Sequence, residues 1–231
     1  MTWYAGVDGC KQGWIAVFAQ FKDGIAQNLE VDIVEDLDAV LNHALQPELA
    51  ALDIPIGLLD TRIPGGRECD RMTRKCLGFP RSSSVFSPPA RDILQAQSFD
   101  EVRGRGMTIQ AWHILPKIRD VDDWMTPERQ KRIFEAHPEL AFWELAGRPM
   151  AGPKKRTRGR KERLDALAPY FPDIHQWAAD NRPPRKLAAM DDLVDALVLT
   201  RVAWRKATGQ AKSLPDPPPK DARNLDMAIW C

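Results

Sequence analysis

The sequence predicts an α/β fold: a mixed five-stranded sheet flanked by helices, with a helical insertion after the fourth strand. Three features carry this expectation. The stretch "YAGVDGCKQGWIAVFAQF", Tyr4 to Phe21, reads as two strands around a short connection bracketed by Gly9 and Gly13. A wholly apolar segment ending at Asp53 follows a helix-spaced one, the pattern of a crossover that returns a strand parallel to a predecessor. Near the C-terminus, "KLAAMDDLVDALVLTRVAWRKATG" is a long apolar-periodic helix closed by Gly209 and the proline-rich "LPDPPP".

Tyr4 to Asp8 and Trp14 to Phe21 are rich in β-branched, aromatic and small apolar residues and form the hairpin; Ala26 to Val34 supplies a third strand. In "EDLDAVLNHAL", Leu37, Val40, Leu41 and Leu45 recur at helical spacing. "ELAALDIPIG" is the fourth strand, and Pro55, which has no N–H, ends its regular pairing. From about 64 to 131 no strand is expected: Arg-rich loops, a serine turn "RSSSVF" and helices near "DILQAQSF" and "MTIQAWHILPKI" make up the insertion. "RIFEAHP" is the fifth strand, Pro138 opens a helix and Gly147 ends it. A helix is expected around Leu164 to Tyr170 and a last short strand in "DMAIW". The chain reads as a single domain, 1–231, with a proline-rich tail from about 210 to 231.

With 231 residues, 44% of them hydrophobic, the chain can bury one sizeable core, and a formal charge of +1 gives no bulk attraction to nucleic acid. No apolar run approaches the roughly 20 residues that span a bilayer, so no membrane partner is expected. The four cysteines show no C-x-x-C pair and read as free thiols; with no leader-like start, the expected location is cytoplasmic.

The acids at the ends of elements carry the chemistry. Asp8 shares a strand face with Tyr4 and Gly6, and Asp53 ends the apolar strand. If these strands are neighbours, their backbones lie about 4.8 Å apart and the two carboxylates can bracket divalent cations. Asp192 and Asp195, three apart on a packed helix, share a face. Each acid alone has a plain structural explanation: turn former for Asp8, loop support for Asp53, helix-start charge for Asp191 and Asp192. Acids from separate segments converging on one sheet edge are what metal-assisted phosphoryl hydrolysis requires, and Mg²⁺ or Mn²⁺ would relieve their repulsion.

The motifs "GVDGCKQGW", "LDIPIG", "RECDRMTRKCLG", "SSSVFSPPAR", "QAWHILPKIRDVD", "FEAHPELAFWEL" and "DDLVDAL" together resemble domain-of-unknown-function family 429, from Gly6 to about Arg205. Its members are predicted to be RNase H-like nucleases. The resemblance implies that Asp8 matches the first-strand acid of the RNase H-like superfamily and Asp53 the fourth-strand acid. Asp192 and Asp195 are similar to the paired C-terminal-helix acids of Holliday-junction resolvases, with Glu135 on the fifth strand as an assisting acid. Glu139 has an ordinary helix-start explanation. The implied activity is metal-dependent hydrolysis of nucleic acid, DNA or RNA, at a site held by Asp8, Asp53, Asp192 and Asp195.

Arg67, Arg71, Arg74 and Arg91 surround the serine turn, and Lys117 follows in "LPKIRDVD". They either grip phosphate along a substrate path or neutralise neighbouring acids. The run Lys154 to Arg163, with seven basic residues and one acid, either tracks a nucleic-acid backbone or forms a solvated loop around Gly159. Two other readings stand beside the nuclease: a non-catalytic module of the same fold holding an acidic or nucleotide ligand, and an actin-like or sugar-kinase-like phosphotransferase relative.

Overall fold

The computed structural model describes residues 1–231, the side chain of Gln110 excepted. In chain order the elements are β1 (Trp3–Cys10), β2 (Gly13–Lys22), β3 (Ile25–Val34), α1 (Leu37–Leu41), β4 (Leu49–Leu52), α2 (Glu68–Leu77), α3 (Phe99–Val102), α4 (Ile109–Trp124), α5 (Pro127–Gln130), β5 (Ile133–Glu135), α6 (Pro138–Ala146), α7 (Thr157–Leu167), α8 (Ile174–Asp180), α9 (Met190–Ala207), β6 (Ser213–Leu214) and β7 (Ile229–Trp230). The chain separates into two compact units: Met1–Asp53 with Arg132–Lys212 and Trp230–Cys231, and Ile54–Lys131 with Ser213–Ile229. Among the described residues, no helix is long and apolar enough to cross a membrane.

The first unit is a mixed sheet of order β3-β2-β1-β4-β5. β1 pairs antiparallel with β2 and parallel with β4; β2 pairs antiparallel with β3 and β4 parallel with β5. This is the α/β class expected from the hairpin and the crossover, and its order is consistent with an RNase H-like fold. The register sets Val7 beside Leu52 and Leu52 beside Glu135. Because side chains alternate, Tyr4, Gly6 and Asp8 share one face with Ile15, Val17, Ala19, Ala51 and Phe134. That face is covered by α9, which buries Leu193, Val194, Leu197 and Val198 against it. On the other face Phe18 stacks on His43 with ring centroids 4.2 Å apart, and α1 packs beside β3 through buried Leu37, Val40 and Leu41.

Gly6 sets how closely α9 lies on the sheet. A Cβ there would run into the Ala196 carbonyl and the Thr200 amide, backbone atoms that cannot rotate away. Helix and strand thus meet main chain to main chain beside Asp8. Lys11, in the β1–β2 turn, donates its amide to the Leu187 carbonyl at 3.0 Å and its ammonium to Arg185 at 2.9 Å, which ties the hairpin to the segment leading into α9.

Four local expectations change. The helix predicted through Leu45 stops at Leu41, because the chain turns and the Leu45 amide bonds the His43 ring nitrogen at 3.2 Å. The segment "DILQAQSF" forms a 3-10 turn at Arg91–Ile93 and one separate turn, α3, started at Ser98, whose hydroxyl donates to Glu101 at 2.9 Å. The Arg-rich stretch read as loop contains α2, where the Asp70 carboxylate accepts the Arg67 amide at 2.9 Å. The basic run is not a flexible loop either: α7 begins at Thr157, and Gly159 is buried where any Cβ would strike the Pro153 carbonyl.

Gly6→Ala is expected to cost about 1–3 kcal/mol or more, since overpacking here cannot be relieved by a rotamer change. A urea titration should show a lower midpoint with an unchanged slope; an unaltered midpoint would mean that α9 does not rest on Gly6.

Candidate metal centre

Asp8, near the end of β1, and Asp53, the first residue after β4, are placed by the parallel pairing. The Asp53 amide donates to the Val7 carbonyl at 2.9 Å, so the chain leaves β4 directly beside Asp8 with both side chains on the α9 face. Asp195, in the second turn of α9, is 1% exposed. One carboxylate oxygen from each of Asp8, Asp53 and Asp195 lies within 4.8 Å of the others.

Burial and mutual repulsion act together on these groups. Burial first, then the Asp53 charge, pushes the Asp8 carboxyl well above the usual carboxylate range, with Asp195 and Asp192 adding to it. Burial raises Asp53 to about 6 against the pull of Lys154, with Glu139 and Asp192 raising it further. Asp195 is raised to about 6 for the same leading reason, again opposed by Lys154. The Lys154 ammonium forms an ion pair with Asp195 Oδ2. Burial alone would lower its pKa, but Asp195, Asp8 and Asp53 raise it well above the ordinary lysine value. Asp195 Oδ1 is buried and has no hydrogen-bond partner among the described residues.

The other expected ligands are placed differently. Asp192 is half-buried at the start of α9, and its Oδ2 accepts the Ala189 amide at 2.8 Å, so it caps the helix instead of joining the three-acid cluster. Its carboxyl is nonetheless raised, chiefly by burial. Glu135 is in register with Leu52 and Val7, one residue out of phase with Asp53 and Asp8, and so points to the opposite face of the sheet. The reading of Glu135 as an assisting acid is corrected on that ground.

The basic residues expected along a substrate path belong to the second unit and are occupied there. Arg67 is 2% exposed and donates to Asp70 at 2.7 Å and to the Ile56 and Gly57 carbonyls, both at 3.0 Å. Arg71 donates to the Gly66 carbonyl at 2.5 Å, and Arg74 to the carbonyls of Val85 at 2.9 Å and of Gly65. Arg91 bridges Asp122 at 2.8 Å and Asp221 at 2.5 Å, and those hydrogen bonds raise its pKa against the effect of burial. Lys117 is half-buried on α4. For the four arginines the geometry is that of internal staples holding loops and acids.

Two residues of the site escaped sequence reasoning. Glu139, treated as a helix-start charge, is 5% exposed; its Oε1 accepts from the fully buried Arg163, and its Oε2 has no partner among the described residues. Its charge raises both Asp53 and Asp195. Lys154, read as one of many basic residues in a run, is the cation of the cluster. A glutamate after proline at a helix start and a lysine after Gly-Pro carry no local signal of burial.

A family model described as a protein of unknown function (DUF429) matches residues 6–220. The chain belongs to the DUF429 family. No curated protein and no solved structure matches it. The DUF429 match spans every residue of the cluster, from Asp8 to Asp195.

The raised carboxyls make a signed prediction for the metal-free protein. Asp53, at about 6 when folded against an ordinary 3.8, holds its proton more tightly folded than unfolded. The destabilisation from its charge is therefore absent below the ordinary value, grows as pH rises, and is complete above about 6. In EDTA, Asp53→Asn should melt above the wild type at pH 7.5 and level with it at pH 3, below the ordinary value. Equal melting temperatures at pH 7.5 would show that the charge on Asp53 is not a burden.

Proposed function

We propose that this DUF429 protein is a metal-dependent nuclease of RNase H-like type, hydrolysing phosphodiester bonds of nucleic acid. The observation that carries the reading is the convergence of Asp8, Asp53 and Asp195 from two adjacent strands and a helix laid across them. Buried carboxylates that repel one another are unfavourable by themselves. They fit a hard divalent cation, which prefers oxygen ligands, and the unpaired Oδ1 of Asp195 supplies a coordinating atom that no protein donor claims.

Asp8, Asp53 and Asp195 would hold Mg²⁺ or Mn²⁺, which when bound supplies Lewis acidity toward a phosphoryl oxygen and makes its bound water more acidic. The chain's own groups do the rest. Lys154 fixes Asp195 through Oδ2 and leaves Oδ1 without a hydrogen-bond partner among the described residues. Arg163 fixes Glu139 through Oε1, leaving its Oε2 as a second uncommitted acceptor.

Nucleic acid as the partner is supported by how the basic run divides. Lys154 and Arg163 turn inward, while Lys155, Arg156 and Arg158 are exposed beside them. An exposed basic strip flanking a carboxylate centre suits a polyanion whose backbone is drawn in by charge. The phosphotransferase reading lacks a second nucleotide-binding half, since the described residues contain one five-stranded sheet. The non-catalytic reading draws on Lys154, which already offsets part of the acid charge.

The test is incubation of purified protein with Mg²⁺ or Mn²⁺ and single-stranded, duplex, hybrid and branched DNA and RNA, beside Asp8→Asn. Cleavage by the wild type is expected, with a loss of roughly 10²–10³ in rate for the variant, the scale for removing one electrostatic group at a reacting centre. Its circular dichroism spectrum should be unchanged. Full activity in Asp8→Asn would rule the mechanism out, and no cleavage together with no metal-dependent thermal shift would favour the non-catalytic module.

A further inference from the structure

The basic run contributes one side chain to the acid cluster, and the way that side chain is held is not that of a surface lysine. Lys154 lies in the turn between α6 and α7, and this turn is pinned on both sides. Glu162 accepts the amides of Ala151 at 2.9 Å and Gly152 at 2.8 Å. Arg163 donates to the carbonyls of Gly152 at 3.0 Å and Gly159 at 2.8 Å, and the Arg156 amide returns to Pro153 at 3.0 Å. Gly152 and Gly159 meet so closely that a side chain on either would collide with the other's backbone. The loop is therefore fixed before any ligand arrives, and its lysine is aimed at Asp195.

Charge arithmetic gives this placement a meaning. Three carboxylates and one ammonium leave two negative charges at the centre, which one divalent cation cancels. A second divalent cation would leave two positive charges in a half-buried site, as unfavourable as the acids alone. Two further acids are felt at the centre but are engaged elsewhere: Glu139 is ion-paired with Arg163, and the Asp192 carboxylate accepts the Ala189 amide at the start of α9. The lysine side chain is 35% exposed, so its contact with Asp195 does not seal it away from solvent.

We propose that this is a one-ion centre, in which Asp8, Asp53 and Asp195 take a single divalent cation and Lys154 is a built-in second positive charge in place of a second ion. This rests on the metal reading above and narrows it. The ammonium supplies charge and up to three hydrogen-bond donors to a bound phosphoryl oxygen without needing a metal. It also repels the incoming cation, so the wild-type site binds its ion more weakly than the acids alone would allow.

The experiment is a Mn²⁺ titration of the full-length protein followed by electron paramagnetic resonance, on wild type and Lys154→Met, with melting curves of both in saturating Mn²⁺ to establish that they are folded. One Mn²⁺ per wild-type chain is expected, and at least tenfold tighter Mn²⁺ binding by Lys154→Met. Two ions per wild-type chain would overturn the one-ion centre while leaving the metal reading standing. Equal or weaker binding by a folded Lys154→Met would overturn the lysine's role as a resident charge. No Mn²⁺ bound to the wild type would overturn the metal reading itself, and this inference with it. The wild-type stoichiometry decides the ion count even if the variant does not fold.

Discussion

Repulsion among the buried carboxylates is the constraint on which the rest of the first unit depends. Asp8, Asp53 and Asp195 are raised by burial and by one another, and only Lys154 opposes them with a full charge at contact. A fold gains nothing in stability by such an arrangement, because buried charge without full compensation is unfavourable. It persists only where surrounding structure is strong enough to impose it. Strain of this electrostatic kind, placed where β1, β4 and α9 meet, is a common feature of functional sites.

The imposition can be traced residue by residue. The parallel register brings Asp53 out beside Asp8, and the missing side chain at Gly6 lets the α9 backbone sit on β1 so that Asp195 reaches the same point. The Lys11 bonds to Leu187 and Arg185 fix the approach to α9 from the hairpin side. Behind these stands the apolar contact of α9 with β1, β2 and β4, where Leu193, Val194, Leu197 and Val198 are almost wholly buried. Burial of side chains of this size is worth about 1.5–3 kcal/mol each. Several together suffice to hold a few carboxylates in an unfavourable place.

Much of this was legible in the sequence, and the divisions are physical. Period-two alternation and strand ends place Asp8 and Asp53, and a 3.6-residue period places Asp195, because each depends on local geometry alone. Glu135 was misplaced by the same rule that placed Asp8: one residue of phase sends a strand side chain to the other face, and the boundary of a three-residue strand is too soft to fix that phase from sequence. Asp192 shares a helix face with Asp195, but it lies at a helix start where the backbone amide of Ala189 competes for its carboxylate. Glu139 and Lys154 were beyond reach for another reason. Their placement is decided by contacts between distant segments: Glu139 with Arg163 of α7, and the α6–α7 turn with α9 through Lys154 and Asp195.

The two kinds of base in this chain divide the work according to their chemistry. Arginine, with a rigid planar fork of donors, serves where several fixed acceptors must be joined at once: Arg67 on Asp70 and two carbonyls, Arg91 on two aspartates, Arg163 on Glu139 and two carbonyls. Each is a fastener that joins several acceptors, although the Nε of Arg163 has no partner among the described residues. Lysine is a compact charge on a flexible stem, with three donors that need not all be used by one partner. At position 154 the ammonium holds Asp195 at Oδ2, and Oδ1 keeps no hydrogen-bond partner among the described residues. The residue type in contact with the cluster is thus one that offsets part of its charge, and Arg163, bonded to the turn that carries it, helps to keep it there.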